Sequence, residues 1–146
     1  MKVALERINT DYLFEVVNQS GHRVFLDNKS KEKGTIKGIS PMELLLMGLA
    51  GCSSIDVVSI LGKQKINPTS LKMEVNGKRN EGEIPSLFKK IEVSVFIEGE
   101  IPSSKVKRAV DLSFEKYCSV SKTLESTAKI NYRIFLIIIS PEPESR

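Results

Sequence analysis

Residues 40–58 read SPMELLLMGLAGCSSIDVV, and this stretch decides the fold. Ser40 fits the N-cap of a helix, Pro41 fits its first position, and Glu43 lies three residues after the cap, which together form a capping box. The pattern predicts a helix from Pro41 to about Lys63. Because its first half is apolar nearly all round, we expect this helix to be enclosed on all sides. A small domain has difficulty covering such a helix alone, and this predicts an obligate homodimer with the helix near its centre.

The segments around this helix predict an α+β fold with the element order β-β-β-α-β-β-α-β. Short β-prone segments separated by turn residues precede the helix: 3–8, 12–17 and 23–27. Alternating segments at 71–75 and 91–97 follow, and we expect them to pair antiparallel. A second helix should begin at Pro102. Its predicted inward stripe is Val106, Ala109, Val110, Phe114 and Tyr117, with Cys118 on or beside it and Ser121 as the cap of a further short turn.

The remaining segments complete the predicted domain organisation. An alternating strand over 130–138 is too apolar near its end to be left as a bare edge. The lysine-rich stretch from Asn28 to Gly38 predicts a mobile surface loop. We expect one domain over residues 1–140 and a flexible tail over 141–146.

Composition limits the class of partner. The chain has 146 residues, a net charge of +4 and 40% hydrophobic residues, which is ordinary for a folded soluble protein. Lysines alternate with glutamates and there is no tryptophan, so we expect no nucleic-acid surface. The charged N-terminus predicts no signal peptide, and the apolar run at 44–50 is short of the ~20 residues that span a membrane. We therefore expect a cytoplasmic protein without a membrane partner.

Cys52 and Cys118 are the two cysteines of the chain, and in the cytoplasm they should be reduced or cycling. Together with the single His22 they cannot assemble an ordinary four-ligand zinc site in one chain, and we expect no metal or cofactor. A buried cysteine is often inert, but a pair allows other chemistry. One thiolate can reduce a peroxide and become a sulfenic acid, the second thiol can condense with it to a disulfide, and an external dithiol can reopen that bond.

The groups that would activate Cys52 are left open by the sequence. Glu43 is either a helix cap alone or also a carboxylate that orients an arginine or receives a proton. On a straight helix the two residues are rotated by ~900° and separated by ~13 Å, so contact requires a break at a glycine or a Cys52 from a partner chain. Asp56 shares the face of Cys52, but a carboxylate there tends to raise a thiol pKa. The candidate thiolate partners are Arg23, Arg79 and Arg108, while His22 is expected in a turn at the surface.

The quoted motifs resemble those of the OsmC/Ohr family, the osmotically inducible and organic hydroperoxide resistance proteins, and most resemble the YhfA-like branch. The similar stretches are 40–46 running into 51–53, the tail of the first motif at 55–58, and EKYCSV at 115–120. The resemblance implies an intertwined homodimer with sheets wrapped around central helices and active sites at the subunit interface. It also implies reduction of an organic hydroperoxide, with Cys52 as the peroxidatic thiol and Cys118 as the resolving thiol.

The chain departs from the hydroperoxide-resistance branch at one motif position. That branch has a catalytic glutamate directly after the proline, where this chain has Met42, and the glutamate is displaced to Glu43. The branch also uses an N-terminal arginine in a glycine-rich turn, for which Arg23 is the nearest candidate.

Overall fold

The computed structural model describes residues 1–139, so the predicted tail at 141–146 lies outside the described residues. The chain forms two compact units, residues 1–45 and the residues from Leu46 onward. The boundary falls within the long helix that the capping box begins.

The first unit contains an antiparallel meander of the order β1-β2-β3, as predicted. Its strands are β1 (Val3–Arg7), β2 (Phe14–Asn18) and β3 (Arg23–Leu26). Two asparagines close the turns, because the Asn9 side chain accepts hydrogen bonds from the Asp11 and Leu13 amides and the Asn18 side chain accepts from Ser20 and His22.

The composition of the lysine-rich connection after β3 predicts a mobile loop, but the structure shows that Asp27 holds this connection by hydrogen bonds. The buried Asp27 carboxylate accepts hydrogen bonds from the Lys37 amide at 2.9 Å and from Lys31 Nζ at 3.1 Å. The Lys37 hydrogen bond lowers the pKa of Asp27 the most. One buried carboxylate therefore ties two points of this connection together.

Helix α1 covers Pro41–Lys63, the bounds that the sequence predicts. A single chain does not enclose α1, and only one stripe of the helix is fully buried in it: Leu49, Ser53, Val57 and Leu61. Enclosure of the other faces by a second copy stays a prediction. The members of this stripe lie four residues apart, and each large apolar one contributes about 1.5–3 kcal/mol by burial. Large apolar side chains on other faces remain exposed, among them Met47, Ile55 and Val58.

The second unit contains a three-stranded sheet of the order β4-β5-β6. Strands β4 (Ser70–Arg79) and β5 (Phe88–Gly99) pair antiparallel as predicted, and β6 (Lys129–Ile138) pairs parallel with β5. Alternate residues of β5 form the core of this unit: Ile91, Val93, Val95 and Ile97. Strand β6 is an outer strand within one chain, contrary to expectation, and exposes Phe135 and Ile137.

The segment between β5 and β6 differs most from the prediction. Helix α2 (Ser103–Leu112) ends early, a π-helical turn covers Ser113–Tyr117, and a short helix α3 covers Ser119–Leu124. The wider π turn changes the helical register, so Tyr117, predicted in the core, is 50% exposed. Cys118 takes the N-cap position of α3 that had been expected for Ser121.

Helix α1 is also long and apolar enough, by length and composition, to cross a membrane, with a mean hydropathy of 2.0 over 18 residues. The uninterrupted apolar run at 44–50 is by itself too short to span a membrane. A core helix of a soluble protein has the same composition when its apolar faces are covered.

Candidate functional site: two thiols beside a carboxylate

The structure brings the two cysteines of the chain together in the second unit. The sulfur atoms of Cys52 and Cys118 and a carboxylate oxygen of Asp56 all lie within 4.8 Å of one another. Cys52 and Asp56 stand one helical turn apart on α1, and Cys118 enters from the junction between the π turn and α3. Residues that are 66 positions apart in the sequence therefore share one site within a single chain.

The π turn fixes the position of Cys118. The Cys118 amide donates a hydrogen bond to the Ser113 carbonyl at 2.7 Å, which closes the wide turn. The Cys118 sulfur caps α3 by accepting a hydrogen bond from the Ser121 amide at 3.4 Å. The ring of Phe114 stacks on Tyr132 of β6 with centroids 4.5 Å apart, so the turn is anchored to the sheet.

The two thiols occupy different environments. Cys118 is completely buried, and burial raises the pKa of its thiol to about 11, against the smaller opposing effect of the Ser121 hydrogen bond. The neighbouring Cys52 and Asp56 raise the pKa of Cys118 further. Cys52 is only partly buried. Cys52 is therefore the thiol that solutes can reach, while Cys118 stays protonated and shielded at neutral pH.

Two buried serines hold the Asp56 carboxylate in place. The Ser113 hydroxyl lies 3.0 Å from Asp56 Oδ2 and 3.1 Å from the Ser53 hydroxyl. A hydroxyl has one proton, so Ser113 donates to the carboxylate and accepts from Ser53. Sequence reasoning missed this network. Ser53 is visible beside Cys52 on the helix, but nothing in the sequence connects Ser113 with Asp56.

Glu43 belongs to the first unit and forms the predicted capping box. The Ser40 amide donates to the Glu43 carboxylate at 2.9 Å, and the Glu43 amide donates to the Ser40 hydroxyl at 3.2 Å. Lys29 Nζ lies 2.7 Å from the carboxylate, and this contact, followed by those with Ser40, lowers the pKa of Glu43 to about 2. Helix α1 is helical through its glycines without interruption.

The candidate arginines and the histidine have other surroundings. Arg23 pairs with Glu15 at 2.9 Å, and Arg79 donates to the Ser86 carbonyl at 2.9 Å. Arg108 and His22 are exposed. Among the residues that the structure describes, Asp56 forms no salt bridge, and the charges that act on Cys118 are those of Cys52 and Asp56. The cluster offers fewer donors than the four of a structural zinc site, and its composition fits thiol and proton chemistry.

These observations define a class of protein. It is an α+β protein whose two cysteines meet where a long helix and a π turn come together. The model of the OsmC-like protein family matches residues 32–133, and the chain belongs to this family. This confirms the resemblance drawn from the sequence motifs.

Three similar proteins place the chain within the family. Protein YhfA of Escherichia coli K12 is 41% identical over 114 residues, which cover 77% of this chain and 81% of that protein. The hydroperoxide reductase of Mycoplasma pneumoniae is 30% identical over 112 residues, covering 74% and 79%. A solved structure of an OsmC-like protein from Mycoplasma pneumoniae has a TM-score of 0.79 at 24% identity, covering 93% and 96% of the two chains, and shows the shared fold.

Proposed function

We propose that this protein is a thiol-dependent peroxidase that reduces organic hydroperoxides through Cys52 and Cys118. Cys52 would attack the peroxide, because it is the more accessible thiol. Cys118 would resolve the sulfenic acid formed on Cys52 to a disulfide, and an external dithiol would reopen it. The hydroperoxide reductase activity named for the Mycoplasma pneumoniae relative supports this choice of reaction.

The distance between the sulfurs carries the proposal. The two Sγ atoms lie within 4.8 Å of each other, and a disulfide requires ~2.05 Å. Rotation of the side chains and a small shift of the π turn can close this gap. A pair placed only for packing would not need one sulfur in reach of solutes and the other shielded beside it.

The functional particle in this proposal is a homodimer in the cytoplasm. A second copy would cover the exposed apolar residues of α1, including Met47, Ile55 and Val58. It would also supply the positive charge that activates Cys52, since the charges of the described residues that act on the neighbouring Cys118 are those of Cys52 and Asp56. Arg23 is the candidate for that charge, and Glu43 the candidate for a carboxylate that orients it. The intertwined arrangement is part of this proposal.

Hydroperoxide consumption by cysteine variants tests the proposal. We expect purified protein with a dithiol to consume tert-butyl hydroperoxide, and Cys52→Ser to lower the rate by at least about 100-fold. Cys118→Ser should turn over once and retain one added oxygen by intact mass, whereas the wild type should lose two hydrogens. Serine at position 118 remains a good N-cap for α3, so this variant should fold. If the wild type and Cys52→Ser consume the hydroperoxide equally slowly, the proposed peroxidase activity is refuted.

A non-catalytic role is the alternative, either as a dimer that binds an apolar small molecule or as a thiol redox sensor. The observation that favours it is that, among the described residues, the groups that act on Cys118 include no lysine, arginine or histidine. In that case one equivalent of peroxide would form the disulfide slowly, and the dithiol would not support repeated turnover.

A further inference from the structure

We propose that Asp56 is the proton acceptor for Cys118 when Cys118 attacks Cys52, and that it returns this proton to the leaving oxygen. The inference rests on the proposed assignment of Cys52 and Cys118. It gives a role to the Asp56 carboxylate, which does not favour the Cys52 thiolate because a nearby negative charge tends to raise a thiol pKa.

The closeness of Asp56 to both thiols supports this inference. Its carboxylate oxygen lies within 4.8 Å of both sulfurs, within the reach of one water or of a small side-chain rotation. The hydroxyl of Ser113, itself completely buried, donates to Oδ2 at 3.0 Å and holds the carboxylate toward the cluster. The Ser113 carbonyl also accepts a hydrogen bond from the Cys118 amide. One residue of the π turn therefore positions both partners of the proton transfer.

The state of Cys118 creates the need for a base. Its thiol is buried and protonated at neutral pH, and a thiol must lose its proton to become a nucleophile. The titratable groups of the cluster are Cys52 and Asp56 on α1 and Cys118 before α3, and among the residues described Asp56 has no salt-bridge partner to hold its charge. Asp56 is therefore the base available to Cys118 within its unit.

The step balances without another reactant. The Cys118 sulfur attacks the sulfur of the Cys52 sulfenic acid, the S–H proton passes to Asp56, and the S–O bond breaks. Asp56 then protonates the leaving hydroxide, so the products are the Cys52–Cys118 disulfide and water. The sulfenic sulfur is reduced and the Cys118 sulfur is oxidised by the same electron pair.

Dithiodipyridine tests this step without relying on a peroxide. Cys52 attacks the reagent, releases one thiopyridone and keeps a pyridyl mixed disulfide, from which Cys118 then displaces a second thiopyridone. In Asp56→Asn we expect the first release to be unchanged within about threefold and the second to be slower by about 100-fold at pH 7. The second release in this variant should gain up to about tenfold per pH unit as the Cys118 thiol ionises directly, whereas the wild type should show a much weaker dependence on pH. A purely structural role of Asp56 would give the wild type and the variant the same slope.

Three further variants complete the test. Asp56→Glu should recover part of the second release, and Ser113→Ala should slow it less than Asp56→Asn does. Asp111→Asn is the matched control, because this half-buried carboxylate of α2 bonds to Tyr132 and Lys107 instead of the cluster. We expect it to leave both releases unchanged.

The outcomes separate this inference from the proposed function. A second release at the wild-type rate in Asp56→Asn would overturn the role of Asp56. Release of only one thiopyridone by the wild type would also overturn it, since Cys118 would then not attack Cys52. A wild type that releases both equivalents with the expected Asp56 dependence, but does not consume hydroperoxide, would refute the peroxidase while the proton-transfer role stands.

Discussion

At the scale of single residues, Cys52 and Cys118 show how burial gives one residue type two different environments. The Cys118 thiol is shielded and has a pKa of about 11, so at pH 7 only about one molecule in ten thousand carries the thiolate. An oxidant that enters the site meets Cys52, which is partly exposed. In the proposed reaction, Cys118 therefore reacts only after its neighbour has been oxidised.

Substitution can separate helix capping by Glu43 from the catalytic role that we propose for it. Glu43→Gln keeps an acceptor for the Ser40 amide but loses the ion pair with Lys29. The carboxylate has a pKa of about 2 in the folded chain against an ordinary 4.5, so its stabilising effect is present above pH 4.5 and is lost as the pH falls through 2. We expect the unfolding free energies of the wild type and Glu43→Gln to differ above pH 4.5 and to converge near pH 2, as measured by urea unfolding.

The control is Glu81→Gln, in the exposed connection after β4. A Glu43→Gln difference that does not change with pH would contradict the assigned ion pair. Retention of the wild-type peroxidase rate by Glu43→Gln would limit Glu43 to helix capping.

At the scale of secondary-structure elements, the π turn after α2 is the feature that creates the site. If α2 continued as an α-helix, Cys118 would follow Phe114 by one regular turn and remain on the same stripe. The π turn ends the helix with a bond from the Cys118 amide to the Ser113 carbonyl, and Cys118 leaves the stripe to begin α3. The π turn is thus the local feature that lets Cys118 approach Cys52.

The packing of β4 on Phe88 gives a prediction for the second sheet. A Cβ atom at Gly77 would lie 2.5 Å from Phe88 Cε1 and 3.1 Å from Leu46 Cδ1. Since Phe88 is buried, its ring has little room to move, and Gly77→Ala should lower the unfolding free energy by about 1–3 kcal/mol in urea unfolding. The control is Gly62→Ala on α1, where a Cβ meets nothing within 4 Å and alanine favours the helix. Unchanged stability of Gly77→Ala would show that β4 and Phe88 are not packed as described.

At the scale of the whole molecule, a single chain leaves an apolar face of α1 exposed to solvent, which is unfavourable in free energy. Ile55 is 71% exposed, although it lies on the most apolar helix of the sequence. The glycine at position 48 is also open, because a Cβ there would meet only Val120 at an ordinary 3.9 Å. If Gly48→Leu destabilises the protein strongly, the clash would therefore have to come from a second copy.

Substitution of Ile55 tests whether a second copy covers this face. We expect Ile55→Glu to weaken dimerisation by at least about 100-fold in sedimentation velocity, because it would place an unpaired charge in an apolar interface. The secondary structure of the isolated chain should be retained by circular dichroism. Ile84→Glu is the control, since Ile84 is fully exposed in the connection between β4 and β5. An Ile55→Glu variant that dimerises as tightly as the wild type would exclude α1 from the interface.

Local chemistry was sufficient for much of the fold. The capping box at Ser40, the apolar run that follows it and the alternation along β4 and β5 involve residues within a few positions of one another. For that reason α1 could be predicted with its bounds and the β4–β5 pair with its direction. The same local motifs, which surround the two cysteines, were specific enough to indicate the family.

Tertiary packing decided the rest. The π turn, the exposure of Tyr117 and the contact of Ser113 with Asp56 depend on how the segment after α2 rests on β6 and α1. No periodicity predicts that arrangement, because its contacts join residues that are distant in the sequence: Ser113 bonds to Asp56, and Phe114 stacks on Tyr132. The sequence shows that two thiols and a carboxylate are present, but the distances and burial that make one thiol accessible and the other dependent on a base exist only in the folded chain.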